Sequence, residues 1–173
     1  MHSRIAPLKQ DVPSWAVVAA WICVAAALPT VVWRGLLGFG FELGTPAAWR
    51  AEQMIPGEGT AYVLGLSIAE LLAALLALRL VHPRGDVVPR WSPISPGRRA
   101  PIALVSTIAL TGAVILIALC AMSIDNWSGV DPFGGEPESA WSKISDACYL
   151  AVLAWPPALI VTVAGYISSR RIT

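Results

Sequence analysis

The chain has 173 residues, 56% of them hydrophobic and only 13% charged, where a soluble domain carries about 25% charged residues. A net charge of +1 supplies no bulk field of the kind that draws nucleic acid. Cys23, Cys120 and Cys148 lack CxxC spacing and the two histidines stand at 2 and 82, which argues against structural zinc, a dithiol redox motif or any bound cofactor.

Crossing about 30 Å of hydrocarbon takes about 20 apolar residues at about 1.5 Å each. Four segments meet that requirement, so residues 1–173 read as one all-α membrane domain, a bundle of four transmembrane helices. The first is predicted over Ser14–Trp33. Arg4, Lys9 and the alanines at 25–27 imitate a secretory signal, but the apolar run exceeds the roughly 7–15 residues of a signal core, so it reads as an uncleaved anchor.

The loop after it contains "GTPAAWRAEQMIPG", with Thr45 as N-cap, Pro46 at the first helical position and Pro56-Gly57 as the stop. These signals predict a short interfacial helix from about Pro46 to Met54, a strut or a lid over the bundle mouth. The second span is predicted over Ala61–Val81. It is followed by a proline-rich loop, His82–Ala100, whose Arg84, Arg90, Arg98 and Arg99 form a basic patch at the membrane interface. That patch serves either as a topology signal or as a contact for anionic lipids.

The third span, Pro101–Met122, has no charge. The loop beyond it holds Asp125, Asp131, Glu136 and Glu138 without EF-hand spacing, so they read as solvated acids and not as a metal site. From Pro137 the chain enters a helix that leads into the fourth span, Ala147–Ser168. Cys120 and Cys148 lie near the same ends of spans three and four and make a possible disulfide.

Lys and Arg residues are distributed unevenly. Nine lie in the N-terminal tail, the second loop region and the C-terminal tail, against Arg34, Arg50 and Lys143 in the other two loops. The positive-inside rule therefore places both termini and the 82–100 loop in the cytoplasm, in a multi-pass protein of the plasma membrane.

One carboxylate interrupts the apolar stretch "YVLGLSIAELLAALLALRLV". Glu70 lies nine residues past Ala61, about 14 Å into the span and close to the bilayer midplane. An ionised side chain at that depth costs roughly 2.5–3.5 kcal/mol on insertion scales, so Glu70 is expected to face the bundle, and desolvation favours its neutral form. Gly65, Ala69, Ala73 and Ala77 make a small-xxx-small stripe that suggests a tight helix–helix seam beside it. Candidate partners at its depth are Trp21, Thr111, the indole of Trp155, and carbonyls freed by proline. The latter are those of Ala25 (by Pro29) and of Val152 and Leu153 (by Pro156-Pro157).

The pattern PRW-x-P…GRR-x-P (Pro89–Pro101) and the stretch "ACYLAVLAWPPALI" after Trp141 resemble small, uncharacterised four-helix membrane proteins of high-GC bacteria. The resemblance covers about half the chain and implies the architecture and a bacterial origin, with no named activity. Small multidrug-resistance transporters also use one membrane Glu, but in their first span. Quinone-linked disulfide oxidases need paired cysteines, and membrane terpene cyclases need further acids.

Three roles follow as expectations. The first is an accessory or scaffold subunit that meets a membrane protein partner or a second copy of itself, with Glu70 as interhelical glue. The second is a small transporter or immunity-type protein that binds an apolar or cationic ligand at Glu70. The third is an intramembrane acid catalyst acting on a lipid-soluble substrate. Empty space beside Glu70 separates the first from the others.

Overall fold

Small side chains recur in the first apolar segment at Ala16, Ala20, Cys23, Ala27 and Thr30, spacings of three and four that put them on one helix face. That face is the centre of the protein. The computed structural model describes residues 12–82, 87–88, 97, 99–125 and 138–171. Helix α1 (Ser14–Gly38) is the hub, and those five residues are each 0% exposed. Helix α3 (Glu58–Val81) packs along one side of α1 and α6 (Trp155–Arg171) along another, and α4 (Ile102–Asp125) packs on α6. In hydrocarbon the packing gain comes from close van der Waals contact and interhelical hydrogen bonds, which is why a small-residue face is the one buried. The approach is close. A Cβ on Gly165 of α6 would lie 2.2 Å from the Cβ of Ala16.

Four helical segments are long and apolar enough to cross a membrane, the fourth running from Ala140 to Arg170. Its length is divided into α5 (Ala140–Ala151), a 3-10 turn (Val152–Ala154) and α6. The Ser139 hydroxyl caps α5 by accepting from the Ser142 N–H at 3.1 Å. The turn precedes Pro156-Pro157, which sit in the first turn of α6, where a missing N–H is tolerated. The carbonyl of Val152 is not free as expected, because it accepts from the backbone N–H of Trp155.

Among the described residues there are no strands, only an isolated antiparallel bridge between Val87 and Arg99. Helix α2 is shorter than expected, Ala47–Glu52, and Pro46 rather than Thr45 occupies its N-cap position. The Thr45 hydroxyl instead donates to the Glu42 carbonyl at 2.5 Å, and Arg50 pairs with Glu42 at 2.8 Å. The preceding loop closes over α5. Gly44 has φ +79°, and a Cβ there would lie 2.6 Å from Trp141, whose ring meets Trp33 at 6.1 Å.

Two expectations about α3 are corrected. The buried face is Ser67, Ala74 and Ala77, whereas Gly65, Ala69 and Ala73 are exposed. The stripe of α1 already allows a close approach, so α3 does not need its own small face for the seam. The two helices are also staggered, with Gly38 of α1 against Leu64 and Thr30 against Glu70. Glu70 is therefore central along α3 but lies opposite the last two turns of α1.

Consecutive helices α3 and α4 are not a packed pair, although a single loop connects them. Both rest on other helices, and a cleft opens between them.

Candidate functional site

Glu70 projects from α3 toward α1 with a side chain only 10% exposed. Both of its oxygens are engaged. Oε1 lies 2.6 Å from the Thr30 hydroxyl and Oε2 accepts from Arg34 Nη1 at 2.5 Å. The Thr30 hydroxyl is also 2.9 Å from the Ala27 carbonyl. It has one proton, so it either donates to a Glu70 carboxylate or, beside a protonated acid, accepts from Glu70 and donates to Ala27. The Arg34 guanidinium is further placed by Tyr149 of α5. Its Cζ stands 5.4 Å from the ring centroid and its Nε lies 3.5 Å from the phenol oxygen. A partly buried ion pair supported by a hydroxyl and an aromatic face thus joins α1, α3 and α5.

Arg34 belongs to this site and not to the first loop, where its charge suggested it would lie. Helix α1 continues five residues beyond Trp33 to Gly38, and Arg34 stands on the same face as Thr30 and Ala27. Those spacings of three and four were the available sequence signal. With Arg34 present, Glu70 has a partner cation at its own level, and the carbonyl of Ala25 is left more than a turn away along α1.

Beside the pair lies a cavity of about 540 Å³ between α3 and α4, floored by α5, the 3-10 turn and α6. Ala69 and Ala73 line it, so the stripe expected to form a seam instead makes space. Its other walls are apolar except for Tyr62, Tyr149, Arg34, Glu70 and Cys120. A second cavity of about 760 Å³ continues along α3 and α4 toward Val87 and Ala100, sharing Ala73, Leu116 and Trp155 with the first. Volumes of this size suit small organic ligands, which occupy about 300–1,000 Å³.

The other expected partners divide. Trp155 is 3% exposed and lines both cavities, and its indole N–H has no acceptor among the described residues. Trp21 is 58% exposed and Thr111 is exposed, and neither lines either of these two cavities. Helix α1 turns Trp21 away from its small-residue face, and α4 buries Ala113 instead of Thr111. Cys120 and Cys148 are free thiols. Cys120 faces the Glu70 cavity, while Cys148 lines a separate groove with Trp33 and Trp141, and α5 is not extensively packed on α4. Helix α2 makes no extensive packing with the long helices and lines neither of the two cavities nor the Cys148 groove.

Arg99 is exposed at its bridge with Val87, whereas Arg84, Arg90 and Arg98 lie outside the described residues, as do Asp131 and Glu136. Among the described residues no three His, Cys, Asp or Glu side chains come together. The arrangement can hold a mainly apolar molecule and offer hydrogen bonds at one place on its wall. No protein-family model, curated protein or solved structure matches the chain.

Proposed function

We propose that this chain is a multi-pass membrane protein whose bundle binds an apolar or amphiphilic ligand in the cleft between α3 and α4, with the Glu70–Arg34 pair at its polar point. The observation that carries this reading is the 540 Å³ cavity beside Glu70. An acid serving only as glue would be packed shut. Binding without turnover is the simpler role, because both Glu70 oxygens are already engaged and among the described residues no second acid lines the cavity.

The setting we propose is a bacterial plasma membrane, with both termini and the 82–100 loop cytoplasmic. Moving Arg34 from the first loop into α1 supports that orientation, since only Arg50 and Lys143 then remain on the opposite side. The basic loop would meet anionic lipid headgroups there. A scaffold role beside a partner subunit is the second reading. It is favoured by the largely outward-facing apolar surfaces of α3 and α4, of whose spanning windows only 17% and 11% are buried.

Native mass spectrometry of protein released from its own membrane tests the binding role. The expected result is a retained lipid-sized mass, lost when Ala73→Phe fills the cleft while the fold persists by circular dichroism. Protein that emerges bare, or a mass that Ala73→Phe retains unchanged, counts against it.

A further inference from the structure

The hydrogen-bonding inventory of the cleft specifies which ligand it takes. Glu70, the strongest acceptor in the wall, has both oxygens occupied, by Thr30 and by Arg34. Three donors have no acceptor among the described residues: Nη2 of Arg34, the phenol hydrogen of Tyr149, whose oxygen receives Arg34 Nε, and Nε1 of Trp155. Of these only Trp155 Nε1 is fully buried, and a buried donor without a partner is costly and uncommon, while the other two border the open cleft. A molecule that supplies acceptors to this wall removes that cost, whereas one that brings only donors does not.

Charge narrows the class. Arg34 and Glu70 cancel within the cavity, and the remaining polar lining residues are tyrosines, Cys120 and Trp155. An anionic head beside Arg34 would be repelled by Glu70 at short range, and a cationic head by Arg34. A neutral carbonyl, as in an ester or a quinone, meets the donors without either penalty.

The shape supplies the tail. The two cavities share Ala73, Leu116 and Trp155, and the lining runs along α3 from Tyr62 to Leu80. From the level of Glu70 to Leu80 this is about 15 Å, at about 1.5 Å per residue. The walls over that run are mainly apolar, with Leu76, Ala77, Ile108 and Ala109 together with Leu159 of α6, and Arg79 lines the far end.

We propose that the cleft between α3 and α4 binds a neutral, carbonyl-bearing amphiphile. Its head accepts hydrogen bonds from the wall formed by Arg34, Tyr149 and Trp155, and its single hydrocarbon tail extends into the second cavity. The proposal rests on the cleft being a ligand site and adds the polarity and direction of the ligand.

The test uses the full chain in nanodiscs and monoacylglycerol carrying a brominated tail, read by tryptophan quenching. A brominated prenylquinone, a brominated free fatty acid and a brominated hydrocarbon of equal length form the other arms. Saturable quenching by the first or second probe is expected, and its Trp155 share disappears in Trp155→Phe. The two positive arms distinguish an ester source from a quinone source. Tyr149→Phe, which keeps the ring under Arg34, should weaken binding by roughly 2- to 10-fold, the range of one hydrogen bond.

Tighter binding of the fatty acid than of the monoacylglycerol overturns the neutral head. Equal binding of the hydrocarbon, or no effect of Tyr149→Phe, overturns the donor assignment and leaves the cleft a ligand site. Labelling of Cys120 by a maleimide, if unprotected by all four probes, removes the ligand site itself and the proposal with it.

Discussion

Replacing Arg34 with Met isolates the electrostatic heart of the site. The side chain keeps its length and loses its charge, leaving the Glu70 carboxylate in an apolar wall with Thr30 as its one remaining partner. Removing one member of a buried ion pair costs about 3–5 kcal/mol in soluble proteins. Here the two side chains are 19% and 10% exposed and border a cavity, so water offers partial relief and about 2–3 kcal/mol is expected. Glu70→Gln is milder. The amide oxygen can still receive Thr30, and Arg34 keeps the Tyr149 face at 5.4 Å, so a loss of roughly 1–2 kcal/mol follows. The double change Arg34→Met with Glu70→Met removes both charges together and should be less damaging than the separate Arg34→Met and Glu70→Met losses added. The cycle, measured by reversible unfolding in bicelles, should return a coupling of about 1.5–3 kcal/mol. A coupling below about 0.5 kcal/mol, the level at which independent sites are additive, would falsify the pairing of α1 with α3 through these residues.

Other substitutions follow from single contacts. Thr30→Val should lower stability by about 0.6–1.7 kcal/mol, the range of an interhelical hydrogen bond in membranes, and a loss within error would remove Thr30 from the site. Gly165→Ala places a methyl 2.2 Å from the Cβ of Ala16 and should cost about 1–3 kcal/mol by overpacking. Adding Ala16→Gly should restore much of that loss in a thermal melt, and failure of the rescue would contradict the α1–α6 register. Gly44→Ala meets both a φ of +79° and Trp141, so the near-ultraviolet dichroism of the Trp33–Trp141 contact should diminish while helix content is kept. Non-reducing peptide mapping should recover Cys120 and Cys148 as separate thiols, and a Cys120–Cys148 linked peptide from untreated protein would refute the arrangement of α4 and α5.

Much of the architecture was legible because membrane spans are written in composition. Backbone groups in hydrocarbon must be satisfied within the segment, so an apolar run of span length becomes a helix whatever its neighbours do. The inward turn of Glu70 followed from the same solvent argument. Its partner did not, because Arg34 looked like the residue that ends a span. A charge is normally excluded from the apolar run, but one that meets an opposite charge on the next helix can extend it, and α1 continues to Gly38 by this route. Trp21 and Thr111 share only their depth with Glu70. Depth ignores rotation about the helix axis, and both residues turn away from the cavities. Most of the small-xxx-small stripe of α3 lies off the seam for a comparable reason. The close approach is made by α1, so the alanines of α3 were free to border space.

Apolar length by itself determined the four spans, and the cost of a lone carboxylate in hydrocarbon determined that Glu70 looks inward. Neither depends on which helix lies beside which. Pairing, rotation and stagger are relations between segments, and only the packed bundle sets them. They decided that α3 and α4 stand apart, that Arg34 reaches Glu70, and that the acid sits beside a cavity instead of inside a closed seam.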